Sequence, residues 1–467
     1  MSIPDGVIMG QLRYVEIYEQ FKRMILEGKM VEHQKLPSKR KLAENLKVSP
    51  LTVEAGYQQL IAEGYVYAVE KKGYFVHKQV ELMLSKKESE VMFEQEHEKP
   101  MFKYNFETNI VDTSLFPNTT WAKLSREVIS ENHHEMLNMT PPQGLLDLRL
   151  EISRYLEIYR GMDVTPDRII LGSGTTSMIG LLVELLGRKK VYAIEKPGYH
   201  RIEQLFRAHE VVIKHIPLDQ MGIQINHLIS SHAHVVHVTP SHQYPTGVVM
   251  PISRRVELLN WAVHQQGYII EDDYDSEFRF QGKPIPALQG LDHNDRVIYM
   301  NTFTKSLAPS FRMSYMVLPK HLMNRYHDLS SYHGCTVPTF EQYVLYKFMH
   351  LGLFERHINR MRNHYRMKLE KIKSILSPYP NINMHGDEAG LHFILEVITQ
   401  DTEEKIREKL KASSLQIMVL DGEERKHLFS YPCLLMGYSG LPLESIEEAC
   451  HVLLHVLGLN TKKKTKD

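Results

Sequence analysis

The 467-residue chain has almost no cysteine. Cys335, Cys433 and Cys450 are far apart, odd in number and follow no zinc-type spacing. That excludes a disulfide framework and fits a reducing compartment. Long hydrophobic runs are missing too: none approaches the roughly 20 residues that a bilayer span requires. The opening Met-Ser-Ile-Pro-Asp-Gly lacks the basic region and apolar core of an export signal. The expected location is therefore cytoplasmic, with no membrane partner. Neither sign of charge is in excess, because 56 Lys/Arg are matched by 56 Asp/Glu, so charge has to be read locally. Internal repeats are also absent. What remains, with 43% hydrophobic and 24% charged residues, is the composition of a soluble globular protein long enough for two or three domains.

Residues 1–80 hold 12 Lys/Arg against 9 Asp/Glu, a local excess of three positive charges that permits DNA binding. Tyr14, Ile17, Tyr18, Phe21, Met24 and Ile25 recur at helical spacing and stop near Gly28. After the break at Leu36-Pro37, Ser38 is placed to cap a helix through Leu46. Ser49-Pro50 starts a third helix, with serine as cap and proline at the first helical position. Two short strands, 65–69 and 74–76, then flank Lys71-Lys72-Gly73. This order predicts a winged helix-turn-helix over residues 1–77 that binds double-stranded DNA, with a helical protein-interaction module as the alternative.

From residue 78 to 103 the sequence is a charged linker, including Ser85-Lys86-Lys87-Glu88-Ser89-Glu90. A second domain is expected over 104–467. Apolar runs at 168–171, 190–194, 211–216, 234–238, 268–270, 297–300 and 314–318 alternate with helical patterns such as 176–186 and 253–265. The fold class is therefore α/β with a mainly parallel central sheet. A helical stretch at 340–376 and strands at 390–397 and 415–420 close the chain in a smaller α+β subdomain. His232, His234 and His237 resemble ligands only superficially, since 237 takes the opposite face of its strand, and no metal is expected there.

Several chemistry-bearing residues fall at the ends of predicted strands, where ligands collect in open α/β sheets. Gly172-Ser173-Gly174-Thr175-Thr176 opens a helix and could cradle a phosphate, or be only a turn. Glu195-Lys196-Pro197-Gly198-Tyr199-His200-Arg201 offers an aromatic ring for stacking and a guanidinium for a carboxylate. In Glu271-Asp272-Asp273-Tyr274-Asp275-Ser276-Glu277, a carboxylate could hold a pyridine nitrogen protonated beside a phenol; the same loop could hold magnesium. Lys305 lies in Thr302-Phe303-Thr304-Lys305-Ser306-Leu307-Ala308-Pro309-Ser310-Phe311-Arg312, where an amine able to form a Schiff base has hydroxyls and an arginine near it for a phosphate.

That order resembles the fold-type I pyridoxal phosphate enzymes, the aspartate aminotransferase family. With its N-terminal module the chain closely resembles the MocR-type regulators, GabR-like members of the GntR superfamily. Leu36-Pro37-Ser38-Lys39-Arg40, Ala62-Glu63-Gly64-Tyr65, Thr239-Pro240-Ser241-His242-Gln243-Tyr244-Pro245-Thr246-Gly247 and the two segments around Asp272 and Lys305 carry the likeness over nearly the whole chain. The resemblance implies pyridoxal 5'-phosphate held by Lys305, with Asp272 at the ring nitrogen, Tyr274 near the ring oxygen, Tyr199 stacked, and Gly174, Thr175, Thr302 and Arg312 about the phosphate. It implies Arg201 as an effector-carboxylate residue, with Arg425 the nearest candidate for a second. Arg40, Ser49, Thr52, Lys72 and Gly73 fall where the family touches DNA, and a homodimer is implied as well. The function implied is transcription regulation, sensing a small amino compound through an external aldimine. An active aminotransferase with an appended DNA module, or a regulator of which the cofactor itself is the effector, stand as alternatives.

Three departures from the pattern stand out. Leucine replaces the C-terminal substrate arginine of aminotransferases in Leu434-Leu435-Met436-Gly437-Tyr438. Gly422 falls near the second effector arginine of relatives that sense γ-aminobutyrate. Pro50-Leu51 opens the recognition helix where an arginine is frequent.

Overall fold

The computed structural model describes residues 5–77, 102–108, 110–131, 134–280, 282, 285–331, 333–425 and 427–459. The chain divides into two compact units, Met1–His97 and Glu98–Asp467. The expected linker over 78–103 lies outside the described residues, apart from its last two.

In the first unit, α1 (Asp5–Leu26), α2 (Lys39–Leu46) and α3 (Pro50–Ala62) precede a two-stranded ribbon of β1 (Val66–Val69) and β2 (Gly73–Val76). The caps read from sequence are in place. Ser38 accepts from the Lys41 amide, and Ser49 accepts from the Thr52 amide at 3.1 Å with Pro50 at the helix start. Ile17, Phe21 and Ile25 of α1 meet Val53, Tyr57 and Leu60 of α3 in one small core. That core fixes which side of α3 stays outside.

The second unit is built on an eight-stranded sheet among the described residues. After β3 (Tyr104–Asn105), its strands are β4 (Ile169–Gly172), β5 (Val191–Lys196), β6 (Val212–Asp219), β7 (Gly222–Ile223), β8 (Val235–Val238), β9 (Tyr268–Asp272), β10 (Val297–Thr302) and β11 (Ser314–Val317). They lie in the order β4-β11-β10-β9-β8-β5-β6-β7. The strands from β10 through β9, β8 and β5 to β6 run parallel, while β11 pairs antiparallel with both β10 and β4. Burial of the sheet on both faces explains why β4, β8 and β9 read as continuous apolar runs. A second sheet joins β12 (Ile382–His385), β13 (His392–Val397), β15 (Met418–Val419) and β16 (Cys433–Gly437), and β14 (Leu415–Gln416) pairs with β3 instead.

One expectation is met in finer detail and one needs correcting. The helical stretch over 340–376 is two helices, Thr339–His350 and Leu353–Leu376, separated at Gly352, whose φ of +64° lies in the left-handed region that glycine tolerates. The single strand over 415–420 is split: Leu415 pairs with Tyr104, while Met418 pairs with Leu435 in the other sheet.

Candidate cofactor cavity and DNA-binding face

Parallel strands bring their carboxyl ends to one edge of the sheet, and a cavity of about 260 Å³ opens there. Thr175 and Thr176 line it from the start of the helix Thr175–Leu186, Tyr199 and Arg201 from the segment after β5, Asp272 from the end of β9 with Tyr274 just beyond it, Thr302 from the end of β10, and Lys305 and Arg312 from the segment that follows. All cofactor positions read from sequence converge here except Gly174, which stands behind Arg312. A Cβ at Gly174 would lie 2.6 Å from Arg312 Nη2, and its φ is +94°. The backbone at 174 is therefore as close to that guanidinium as it can come. Arg312 donates to the Ser173 carbonyl at 3.2 Å, beside the free N–H groups of a helix start, an arrangement that suits a phosphate. Gly174→Ala should weaken cofactor binding about tenfold, because Arg312 must retreat and alanine is strained at this φ; equilibrium titration of the apoprotein with the cofactor measures it.

Lys305 is 8% exposed, and its Nζ donates to the Thr108 carbonyl at 2.5 Å. Burial lowers its pKa from the ordinary lysine value to about 8, against a smaller opposing pull from Asp275. A useful fraction of the amine is therefore neutral and nucleophilic near neutral pH. Since only the neutral amine captures an aldehyde, the loading rate of apoprotein should rise with pH up to about 8 and then level off. A solvent-exposed lysine would go on gaining rate beyond pH 10. Stopped-flow absorbance across pH 6–10 reads the difference.

Asp272 faces the cavity with His237 behind it, His237 Nε2 to Asp272 Oδ2 being 3.3 Å. The Tyr274 hydroxyl donates to the His242 carbonyl at 3.0 Å, and burial pushes its pKa well up, so it stays a neutral donor. Tyr199 meets Tyr244 edge to face with ring centroids 5.1 Å apart.

The magnesium alternative for the acidic loop does not survive the geometry, because its carboxylates go to separate partners. Glu271 accepts from the Leu288 and Gln289 amides, Asp273 pairs with buried Arg160 at 2.8 Å, Asp275 with His242 at 2.9 Å, and Glu277 with Asn301. Two of the three histidines near β8 go to different partners: His234 accepts from the Val191 amide while His237 meets Asp272. A buried group that sequence reasoning missed is His242, Asp275 and His392, whose nearest ligand atoms lie within 4.8 Å of one another. Burial, and then His242 and Lys305 nearby, hold the His392 pKa well below the ordinary value, so it is a neutral wall of the cavity. Thr108, the acceptor for Lys305, lies 197 residues away in sequence and had no local signal.

The effector candidates separate. Arg201 reaches the cavity, is exposed and has its Nη2 3.5 Å from Thr176 Oγ1. Arg425 does not reach it. Its guanidinium is taken by Glu403, with Nε to Oε1 at 2.6 Å, so the expectation of a second effector arginine there has no geometric support in this chain. Leu435 of β16 is buried with Ile394, Leu420 and Cys433 in a cluster packed against Tyr244. No residue of β16 lines the cavity.

On the DNA side, Arg40 is exposed on α2, and Lys72 and Gly73 form the ribbon tip, Gly73 at φ +115°. Ser49 is partly spent as the cap of α3, its hydroxyl 2.8 Å from that of Thr52.

Residues 103–453 match the model of the class I and II aminotransferases, and residues 13–76 that of the bacterial regulatory proteins of the gntR family. The HTH-type transcriptional regulator YdeL of Bacillus subtilis (strain 168) is 36% identical over 93% of this chain and 94% of its own length. The pyridoxine biosynthesis regulator PdxR of Corynebacterium glutamicum is 30% identical over 81% and 82%. The probable rhizopine catabolism regulatory protein MocR of Rhizobium meliloti is 27% identical over 94% and 92%. Among solved structures, the multiple substrate aminotransferase of Thermococcus profundus superposes with a TM-score of 0.68 over 77% of this chain and 92% of that one, at 24% identity, a likeness of fold.

Fold and matches together define a DNA-binding transcription regulator that carries an aminotransferase-like domain for pyridoxal 5'-phosphate. The chain belongs to the MocR-type regulators of the GntR family. No helix among the described residues is long and apolar enough to cross a membrane.

Proposed function

We propose that the regulator senses a small amino compound at the Lys305 cavity and alters operator affinity in response. The observation that carries this reading is the cavity's cation set. Arg312 sits at the phosphate cradle and Lys305 is the buried amine, which leaves Arg201 alone for an effector's carboxylate. When bound, pyridoxal 5'-phosphate supplies a carbonyl that condenses reversibly with amines and a ring that withdraws electrons. Asp272, backed by His237, would keep a proton on the ring nitrogen, and the Tyr274 hydroxyl would turn from the His242 carbonyl to donate to the ring oxygen. Tyr199 offers a stacking face, while Thr175, Thr302 and Arg312 are placed for the phosphate. Lys305 gives up its proton readily because it is buried.

Turnover of α-amino acids asks for a second firm grip on the substrate, so that the reacting bonds stay aligned. Leu435 fills the strand position where aminotransferases keep that arginine, and it is sealed among apolar side chains. Sensing needs only reversible binding and a coupling free energy, for which about 1–3 kcal/mol is typical. A homodimer is proposed on the family resemblance.

A narrower reading, in which the cofactor itself is the effector, draws on the PdxR likeness and on the missing arginine of β16. The two readings separate at Arg201. Arg201→Ala should raise the half-saturating concentration of a carboxylated effector about tenfold and leave a carboxyl-free amine unaffected. Equal effects on both, or none, would remove Arg201 from the effector site.

A further inference from the structure

The α3 helix has two faces of opposite character. Val53, Gly56, Tyr57 and Leu60 are buried. Opposite them run Leu51, Ala55, Gln58 and Ala62, all exposed, at intervals of four, three and four residues that keep them in one stripe. Leu51, on the first turn, is 76% exposed. No charged side chain lies in the stripe. Glu54 at its edge is taken by Lys39 at 2.6 Å, and Gln59 on the other side donates to Glu63 at 2.7 Å. No partner engages the Gln58 amide among the described residues.

In a helix-turn-helix the second helix lies in the major groove, with its N-terminal residues against base edges. There the four base pairs are told apart by their pattern of donors, acceptors and the thymine methyl group. Arginine or lysine reads guanine, glutamine reads adenine through N6 and N7, and apolar side chains meet the thymine methyl. Arg40 on α2 and Lys72 at the ribbon tip lie off the stripe and suit phosphates, which position the protein without carrying sequence information.

We propose that α3 reads A·T base pairs, with Leu51 and Ala55 against thymine 5-methyl groups and Gln58 on the N6/N7 edge of an adenine. The inference rests on the DNA-binding function and goes beyond it by naming the bases. Leu51 sets specificity through contact with one methyl group, and the departure at Pro50-Leu51 then goes with a different operator.

The test uses the full-length, cofactor-loaded protein and a randomised duplex library. The selected half-sites should hold A·T pairs at the positions under α3. In the best duplex, replacing the contacted thymine by uracil keeps base pairing and removes only the methyl group. That change should lower wild-type affinity about threefold and leave Leu51→Ala indifferent, while Gln58→Ala relaxes selection at the adenine alone. Invariant G·C pairs under α3, or equal affinity for thymine and uracil in wild type, would overturn the assignment and leave DNA binding standing. A protein that enriches no sequence and binds no duplex would overturn both. Because Leu51 and Gln58 are exposed, both variants should keep the wild-type melting temperature and salt-dependent nonspecific binding, so lost selectivity reads as lost contacts.

Discussion

Lys305→Ala should abolish covalent capture of pyridoxal 5'-phosphate completely. Wild-type protein reduced with borohydride after loading should carry the cofactor on Lys305, located by peptide mass mapping, and the variant should carry none in this cavity. The expectation is all-or-none because Lys305 is the one lysine among the residues lining the cavity; the other cations there, Arg201 and Arg312, are guanidiniums. Folding should survive. The substitution leaves the Thr108 carbonyl without its 2.5 Å donor but also removes a buried ammonium, opposing effects of order 1 kcal/mol each. A melting-temperature shift of no more than a few degrees is expected. An adduct of equal yield in the variant would show that another amine holds the cofactor.

Replacing Arg40 and Lys72 together by alanine should lower operator affinity by about one to two orders of magnitude at low salt. The slope of log affinity against log salt should become shallower by about 1.8, since each phosphate contact releases about 0.9 of a counterion. Both side chains are exposed and neither is held by a carboxylate among the described residues, so their charge is available to DNA. The cofactor's visible absorbance should be unchanged, because neither residue lines the cavity. Loss of affinity with an unaltered salt slope would mean that they act by shape and not by neutralising phosphates.

Local chemistry was the most legible part of the sequence. Ser38, Ser49 and Pro50 announce their helices because a cap acts within three residues, and buried parallel strands announce themselves as apolar runs. The cavity's main residues were legible for a related reason: they fall at the ends of strands or in the segments that follow them. The unreadable parts depend on partners distant in sequence. His237 backs Asp272 only because β8 and β9 are neighbours, with His237 opposite Ile270, and sequence does not give strand order. Thr108 reaches Lys305, and His392 reaches His242, across long stretches of chain. Leu415–Leu420 reads as one short apolar strand, yet its two ends belong to different sheets. Arg425 has the right residue type near the right place, but Glu403 claims its guanidinium, and a sequence pattern cannot show competition between partners.

The coupling of the cavity to DNA is tested most directly by one joint titration. Loaded full-length protein, mixed with its selected duplex, is titrated with a panel of amino compounds while visible absorbance, DNA affinity and keto product are followed together. The account predicts at least one compound for which absorbance and affinity change with the same half-saturation, affinity shifts by about fivefold or more, and keto product stays below one equivalent. Steady accumulation of keto product with DNA affinity unmoved by any compound that changes the spectrum would contradict it.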